Sequence, residues 1–195
     1  MRRTGLLGGT FDPIHYGHLL AAEAAREAAD LTDVWFIPTY VPPHKAKPNT
    51  DGKLRLGMLE AAVAETPGFR VEDIELARQG VSYTIDTVNT LTALHPDRSF
   101  YWIVGSDMVN DLPNWREPEA LAERVTFIGL ERPGTPVDES ALPPYIRRKL
   151  LRAVMPQVGI SSTDIRDRCK EGRSIRFMTP DPVIEWIRRH RLYES

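Results

Sequence analysis

Apolar residues recur along the chain in two alternating rhythms. Short, nearly unbroken apolar runs bounded by Gly, Pro or Asp lie at 3–7, 34–38, 99–104 and 125–130. Runs of that length with no polar alternation read as strands covered on both faces. Longer stretches between them carry apolar residues at helical spacing. Residues 16–29 are rich in Ala, Leu and Glu, 51–65 align Leu54, Met58, Leu59, Ala62 and Val63, and 84–94 align Ile85, Val88, Leu91 and Leu94. A short helix at 117–123 and an amphipathic one at 182–191 complete that set. Strands alternating with helices predict an α/β fold, an open parallel sheet with helices on both faces. Residues 69–76 read as a strand or extended segment closed by a turn near Gln79 and Gly80, and proline-rich 40–50 and 131–144 as loops. A last short strand is expected at 158–160, followed by Ser161, Ser162 and Thr163 capping a helix over 164–170.

Composition narrows the class. A chain of 195 residues suits one domain, 1–195, and 42% hydrophobic with 27% charged residues describes a globular protein. The net charge of -2 gives no overall pull toward nucleic acid or membranes, so any anion must be held by a local cluster. The single Cys169 excludes an internal disulfide and a Cys-based zinc site and fits a reducing cytosol. The apolar stretch after Met1-Arg2-Arg3 is broken by Gly8 and Gly9, which does not describe a signal peptide, and no run is long enough to span a bilayer. The expected place is therefore the cytoplasm.

Ligands of an open parallel sheet collect beyond the carboxyl ends of its strands. That directs attention to 8–18, 38–47, 105–115 and 160–166. In the first, Gly8 and Gly9 let the backbone come close to a ligand, and His15 and His18 share one face at a helix start. A helix N-terminus favours a phosphate, so the residues describe an anion site faced by two imidazoles. In 160–166, hydroxyls gather at another helix start and Arg166 follows about one turn later, a second anion site. Pro42-Pro43-His44-Lys45 is a stiff loop offering cations, and Ser82-Tyr83-Thr84 opens a helix with Asp86 and Thr87 behind it. Gly105-Ser106-Asp107 joins a close-approach glycine to a carboxylate suited to ribose hydroxyls, and Trp115 offers a ring for stacking. Trp35, Trp102 and Trp186 read as core, Cys169 as inert, and the basic runs 147–149 and 188–191 as solvated helix faces.

The string GGTFDPIHYGHL at 8–19 resembles the T/HxGH signature of the nucleotidyltransferase superfamily, and in particular the bacterial nicotinate-nucleotide adenylyltransferases. ISSTDIR at 160–166 resembles that family's second signature, ISSTxIR, and PPHK, SYTxDT, GSD and LPxW resemble further elements in the same order. The resemblance implies a Rossmann-like fold of nucleotidyltransferase type and transfer of the adenylyl group of ATP to nicotinate mononucleotide, with pyrophosphate leaving. It implies that ATP meets Gly8, Gly9, Thr10, Phe11, His15, His18, Gly105, Asp107, Ile160, Ser161, Ser162 and Arg166, the segment from about 160 completing the ATP site. His18 is implied at the α-phosphate with His15 and Lys45 assisting, the histidines supplying charge. His44, Lys45, Thr84 and Trp115 are implied to hold the acceptor. Mg²⁺ enters with ATP, held mostly by phosphates and water, with no metal site in the protein and Asp12 as the nearest carboxylate. At Arg116 many members of the family carry an aromatic or another residue, and only the backbone N–H is expected to act there.

An acceptor phosphate is already ionised near neutral pH, so the reaction needs alignment and charge neutralisation and no strong base. That matches histidines, one lysine, one arginine and two helix N-termini without a Ser or Cys triad. The competing readings are a sister enzyme acting on nicotinamide mononucleotide or phosphopantetheine, or on CTP with an alcohol phosphate, and a non-catalytic nucleotide sensor. A homo-oligomer is left open, and no nucleic acid or membrane partner is expected.

Overall fold

The computed structural model describes residues 1–43, 48–134 and 136–194. In chain order its elements are β1 (Arg2–Gly9), α1 (Tyr16–Ala28), β2 (Asp33–Pro38), α2 (Gly52–Val63), β3 (Phe69–Val71), α3 (Ile74–Arg78), α4 (Thr84–Leu94), β4 (Arg98–Gly105), α5 (Ser106–Val109), a 3-10 turn (Leu112–Asn114), α6 (Pro118–Arg124), β5 (Val125–Glu131), α7 (Pro144–Arg147), β6 (Leu150–Val154), α8 (Ser162–Lys170) and α9 (Asp181–Arg189). The six strands form one sheet in the order β3-β2-β1-β4-β5-β6, and every neighbouring pair is parallel.

Successive strand residues point to opposite faces, and here both faces are covered. Leu7, Val34, Phe36, Ile103 and Ile128 pack into one apolar layer with residues of α1, α2, α8 and α9. Leu6, Trp35, Ile37, Trp102 and Phe127 pack into the other with α4, α6 and α7. This double burial is why the central strands read as continuous apolar runs. The chain builds outward from β1 to β3 on one side, then returns to β4 and builds to β6 on the other. The order therefore reverses between β1 and β4, and the crevice beyond their carboxyl ends is where such sheets bind ligands.

Three expectations are corrected. The strand expected over 69–76 stops at Val71, and Ile74–Arg78 is a helix beginning when Ala77 N–H donates to Asp73 C=O at 2.9 Å. Residues 158–160 form no strand, and the last strand is Leu150–Val154 instead. That edge strand, Leu-Leu-Arg-Ala-Val, has its apolar run broken by Arg152, follows the basic residues 147–149, and buries only Ala153 fully. Helix α8 starts at Ser162 with Ser161 as its cap, two residues earlier than expected. Among the described residues no helix is long and apolar enough to cross a membrane.

Candidate active site

Strand β1 ends at Gly9, and the chain must cross from the sheet to α1 through residues 10–15, which belong to no regular element. Phe11 takes a left-handed backbone there (φ 50°), and the Asp12–Pro13 peptide is cis. Buried backbone carbonyls outside regular structure need partners. Four are supplied by side chains from elsewhere in the sequence. Arg55 donates to Thr10 C=O at 2.7 Å, Arg166 to Asp12 C=O at 2.8 Å, Ser162 Oγ to Pro13 C=O at 2.8 Å, and Thr179 Oγ1 to Ile14 C=O at 2.7 Å. Tyr193 O–H donates to Asp12 Oδ1 at 2.5 Å, which occupies the one carboxylate considered as a metal aid.

This clamp delivers the chain to His15, the N-cap of α1. Gly17 N–H donates to His15 Nδ1 at 3.1 Å, and His15 N–H donates to His18 Nδ1 at 3.2 Å. The pair forms a capping box built from imidazoles in place of the usual hydroxyl and carboxylate. A Cβ on Gly17 would stand 2.9 Å from the His15 ring, so only glycine admits the fold-back. The two rings stack with centroids 3.7 Å apart, and Phe11 meets His18 edge-on at 5.0 Å. Since each Nδ1 accepts a backbone N–H, each neutral ring carries its proton on Nε2.

Burial pushes His15 down to about 4, with the Arg132 guanidinium adding to it. Burial likewise pushes His18 down to about 3, with His15 and Arg132 adding to it. At neutral pH both rings are therefore uncharged donors in the free protein.

The second signature lies against the first. Ser161 Oγ caps α8 by accepting from Asp164 N–H at 3.1 Å, and the Ile160 carbonyl lies 3.9 Å from where a Gly17 Cβ would stand. Arg166 uses two N–H groups, one on Asp12 C=O and one on Thr163 Oγ1 at 3.2 Å. A guanidinium has five, so others remain for a ligand. The two helix starts thus meet at one loop.

Beside them opens a cavity of about 550 Å³ along the ends of β1 and β4. Gly8, Gly9, Thr10 and Gly105 line it, together with Thr84 and Trp115 from the acceptor motifs. Asp107 folds back on Gly105, its Oδ1 2.6 Å from where a Cβ would stand there. Tyr83 is the N-cap of α4, and no side chain caps that helix. Its first turn therefore presents backbone N–H groups and the positive end of the helix dipole. Trp102 was expected in the core, and it is only 5% exposed, yet it also lines the cavity. His44 and Lys45 lie outside the described residues, while Pro42 and Pro43 just before them line the cavity.

Sequence reasoning missed Arg55, Glu75, Thr179 and Tyr193. Arg55 was visible in one respect. It falls on the same helical face as Met58, Leu59 and Ala62, where a charge is out of place, and it is 1% exposed. Glu75 sits in the cavity wall, accepts from Thr87 Oγ1 at 2.8 Å, and is pushed up by burial against hydrogen bonds from Thr87, Ser82 and Thr39. Nothing in the local sequence marks Thr179 or Tyr193, whose partners Ile14 and Asp12 are 165 and 181 residues away.

Comparison with known proteins matches residues 6–168 to the cytidylyltransferase-like family. The chain is 44% identical over 193 residues to a probable nicotinate-nucleotide adenylyltransferase of Oceanobacillus iheyensis, covering 99% of this chain and 97% of that one. It is 46% identical to a protein of the same description from Geobacillus thermodenitrificans, covering 99% and 87%. A solved structure of Plasmodium falciparum nicotinic acid mononucleotide adenylyltransferase complexed with NaAD superposes with a TM-score of 0.79 at 23% identity, over 99% of this chain and 98% of that one.

Proposed function

The chain belongs to the cytidylyltransferase-like family, and from that membership and the geometry of the site we infer its reaction. It transfers the adenylyl group of ATP to nicotinate mononucleotide, giving nicotinate adenine dinucleotide and pyrophosphate in NAD biosynthesis. The observation that carries the reading is the junction of two anion-binding helix starts, α1 and α8, on one clamped loop beside a cavity with an uncapped helix in its wall.

A phosphate oxygen of the mononucleotide forms a bond to the α-phosphorus while the bond from that phosphorus to the bridging oxygen breaks. Pyrophosphate leaves with the electron pair, and no proton has to be removed from the ionised acceptor. The Nε2–H groups of His18 and His15 donate to the α-phosphate oxygens as charge develops there, the type of fixed donor that lowers such barriers most. An arriving polyphosphate raises both imidazole pKa values, because a nearby anion favours the charged form. The first turn of α8, Ser161, Ser162 and the spare N–H groups of Arg166 hold the leaving phosphates. Gly105 and Asp107 meet the adenosine, Lys45 and His44 the acceptor phosphate, and Thr84 and Trp115 the pyridine ring.

Mg²⁺ accompanies ATP in this reading and neutralises phosphate charge. Among the described residues no three His, Cys, Asp or Glu side chains gather to hold an ion. In this reading the triphosphate and water would hold the ion. We place the reaction in the cytoplasm, with neither nucleic acid nor membrane as partner.

The test is pyrophosphate release on mixing the protein with ATP, Mg²⁺ and each of nicotinate mononucleotide, nicotinamide mononucleotide and phosphopantetheine. Release is expected to be fastest with the nicotinate. Faster release with another acceptor would assign a sister activity, and ATP binding with no release at all would make the protein a sensor.

A further inference from the structure

Arg116 follows Trp115 directly, and its side chain lines the cavity. Among the described residues lining the cavity it is the only cation, and Glu75 the only carboxylate. Glu75 is buried and already accepts hydroxyl hydrogen bonds. Arg116 is half-exposed, with its guanidinium carbon 4.6 Å from the centre of the Tyr83 ring. The chain turns immediately after it, through Glu117 at φ 50°, a left-handed backbone that a residue other than glycine adopts at some cost.

Tyr83 is the residue from which α4 starts. The guanidinium is therefore stacked beside the uncapped helix start that also carries Thr84. Its ion-pair contacts there are loose, 4.0 Å to Asp86 Oδ2 and 3.8 Å to Glu117 Oε1. Exposed pairs at such distances contribute little, so the fork remains available to a ligand. A planar guanidinium beside free backbone N–H groups matches a carboxylate, and a neutral carboxamide gains much less from it.

We propose that Arg116 is a specificity-determining residue: its guanidinium, held over Tyr83 at the start of α4, recognises the carboxylate on the acceptor's pyridine ring and favours nicotinate over nicotinamide. This rests on the reaction inferred above and adds a second source of charge to the backbone of α4. Arg116 stands beside Thr84 and Trp115, the residues assigned to the acceptor ring, and not at the phosphate grips of α1 and α8.

The test is steady-state kinetics of the wild type, R116Q and R116K with both mononucleotides. Charge-assisted hydrogen bonds are worth enough to predict that R116Q raises KM for nicotinate mononucleotide about tenfold. The KM for nicotinamide mononucleotide, the KM for ATP and kcat should stay near wild type, so the nicotinate preference falls by the same factor. R116K should keep part of the preference, and salt should erode it in the wild type more than in R116Q. An unchanged ratio of kcat/KM values for the two acceptors in R116Q would overturn the proposal. An equal rise in the KM for both would too, since that describes a purely structural role. A wild type that does not use nicotinate mononucleotide would instead overturn the reaction itself.

Discussion

Replacing His18 with Gln separates the charge state of the histidine pair from its role in holding α1. His18 occupies the third position of α1 and accepts the His15 N–H at 3.2 Å. Gln is a natural residue at that position of a capping box, so H18Q keeps an acceptor for the His15 N–H while removing the titrating imidazole. The folded-state pKa is pushed down to about 3 from an ordinary 6.5. Above pH 6.5 neither the folded nor the unfolded chain binds the proton, so the histidine has no pH-dependent effect. Below it the unfolded chain takes up a proton that the folded chain refuses, and stability falls with pH until the folded pKa is reached. At pH 5.5, one unit below the ordinary value, the loss is about 1.4 kcal/mol. Urea unfolding at pH 7.5 and 5.5 measures it. At about 1–3 kcal/mol per molar, the wild-type midpoint should drop by roughly 0.5–1.4 M more than that of H18Q. Turnover of H18Q should meanwhile fall by about 10²–10³, as when one preorganised donor to a developing oxyanion is lost. Identical pH dependence of stability in the two proteins would refute the claim that burial holds His18 neutral.

Two further substitutions probe the scaffold. Thr179→Val removes a hydroxyl from a residue that is 1% exposed and leaves Ile14 C=O without its 2.7 Å partner. The loss should be about 1–3 kcal/mol, or several degrees of Tm by calorimetry, with kcat lowered because that carbonyl adjoins His15. Gly57→Ala places a Cβ against the Trp186 ring, between α2 and α9, closer than the two can stand without a shift. Overpacking there should lower stability by about 1–3 kcal/mol while the folded fraction keeps its ATP affinity, since neither residue reaches the site.

The parts of this molecule legible in its sequence are those fixed by near neighbours. The strand runs at 34–38, 99–104 and 125–130 were visible because two covered faces leave no polar alternation, and the elements found there agree with them. The histidine pair was visible because a spacing of three is enough to put two residues on one helix face. Strand β6 was passed over, because Arg152 interrupts its apolar residues and the basic run 147–149 just before it reads as a solvated face. The clamp was not visible, because each of its donors meets a backbone carbonyl. A carbonyl is present at every residue, so the accepting side leaves no trace in residue type, and for Ser162, Arg166 and Thr179 the donor lies 149 to 165 residues away.

The same division holds for the charge of the histidine pair. Position in the chain set where His15 and His18 stand, but their charge depends on what the fold packs around them. The residues that lower their pKa values include Arg132, which reaches them only through the folded sheet. A pair of standing cations 3.7 Å apart would repel each other in the free protein and bind any anion. Neutral rings with Nδ1 engaged avoid the repulsion and keep their orientation, so the second histidine can approach the first closely. In the proposed reaction their positive charge would be induced by the polyphosphate they meet.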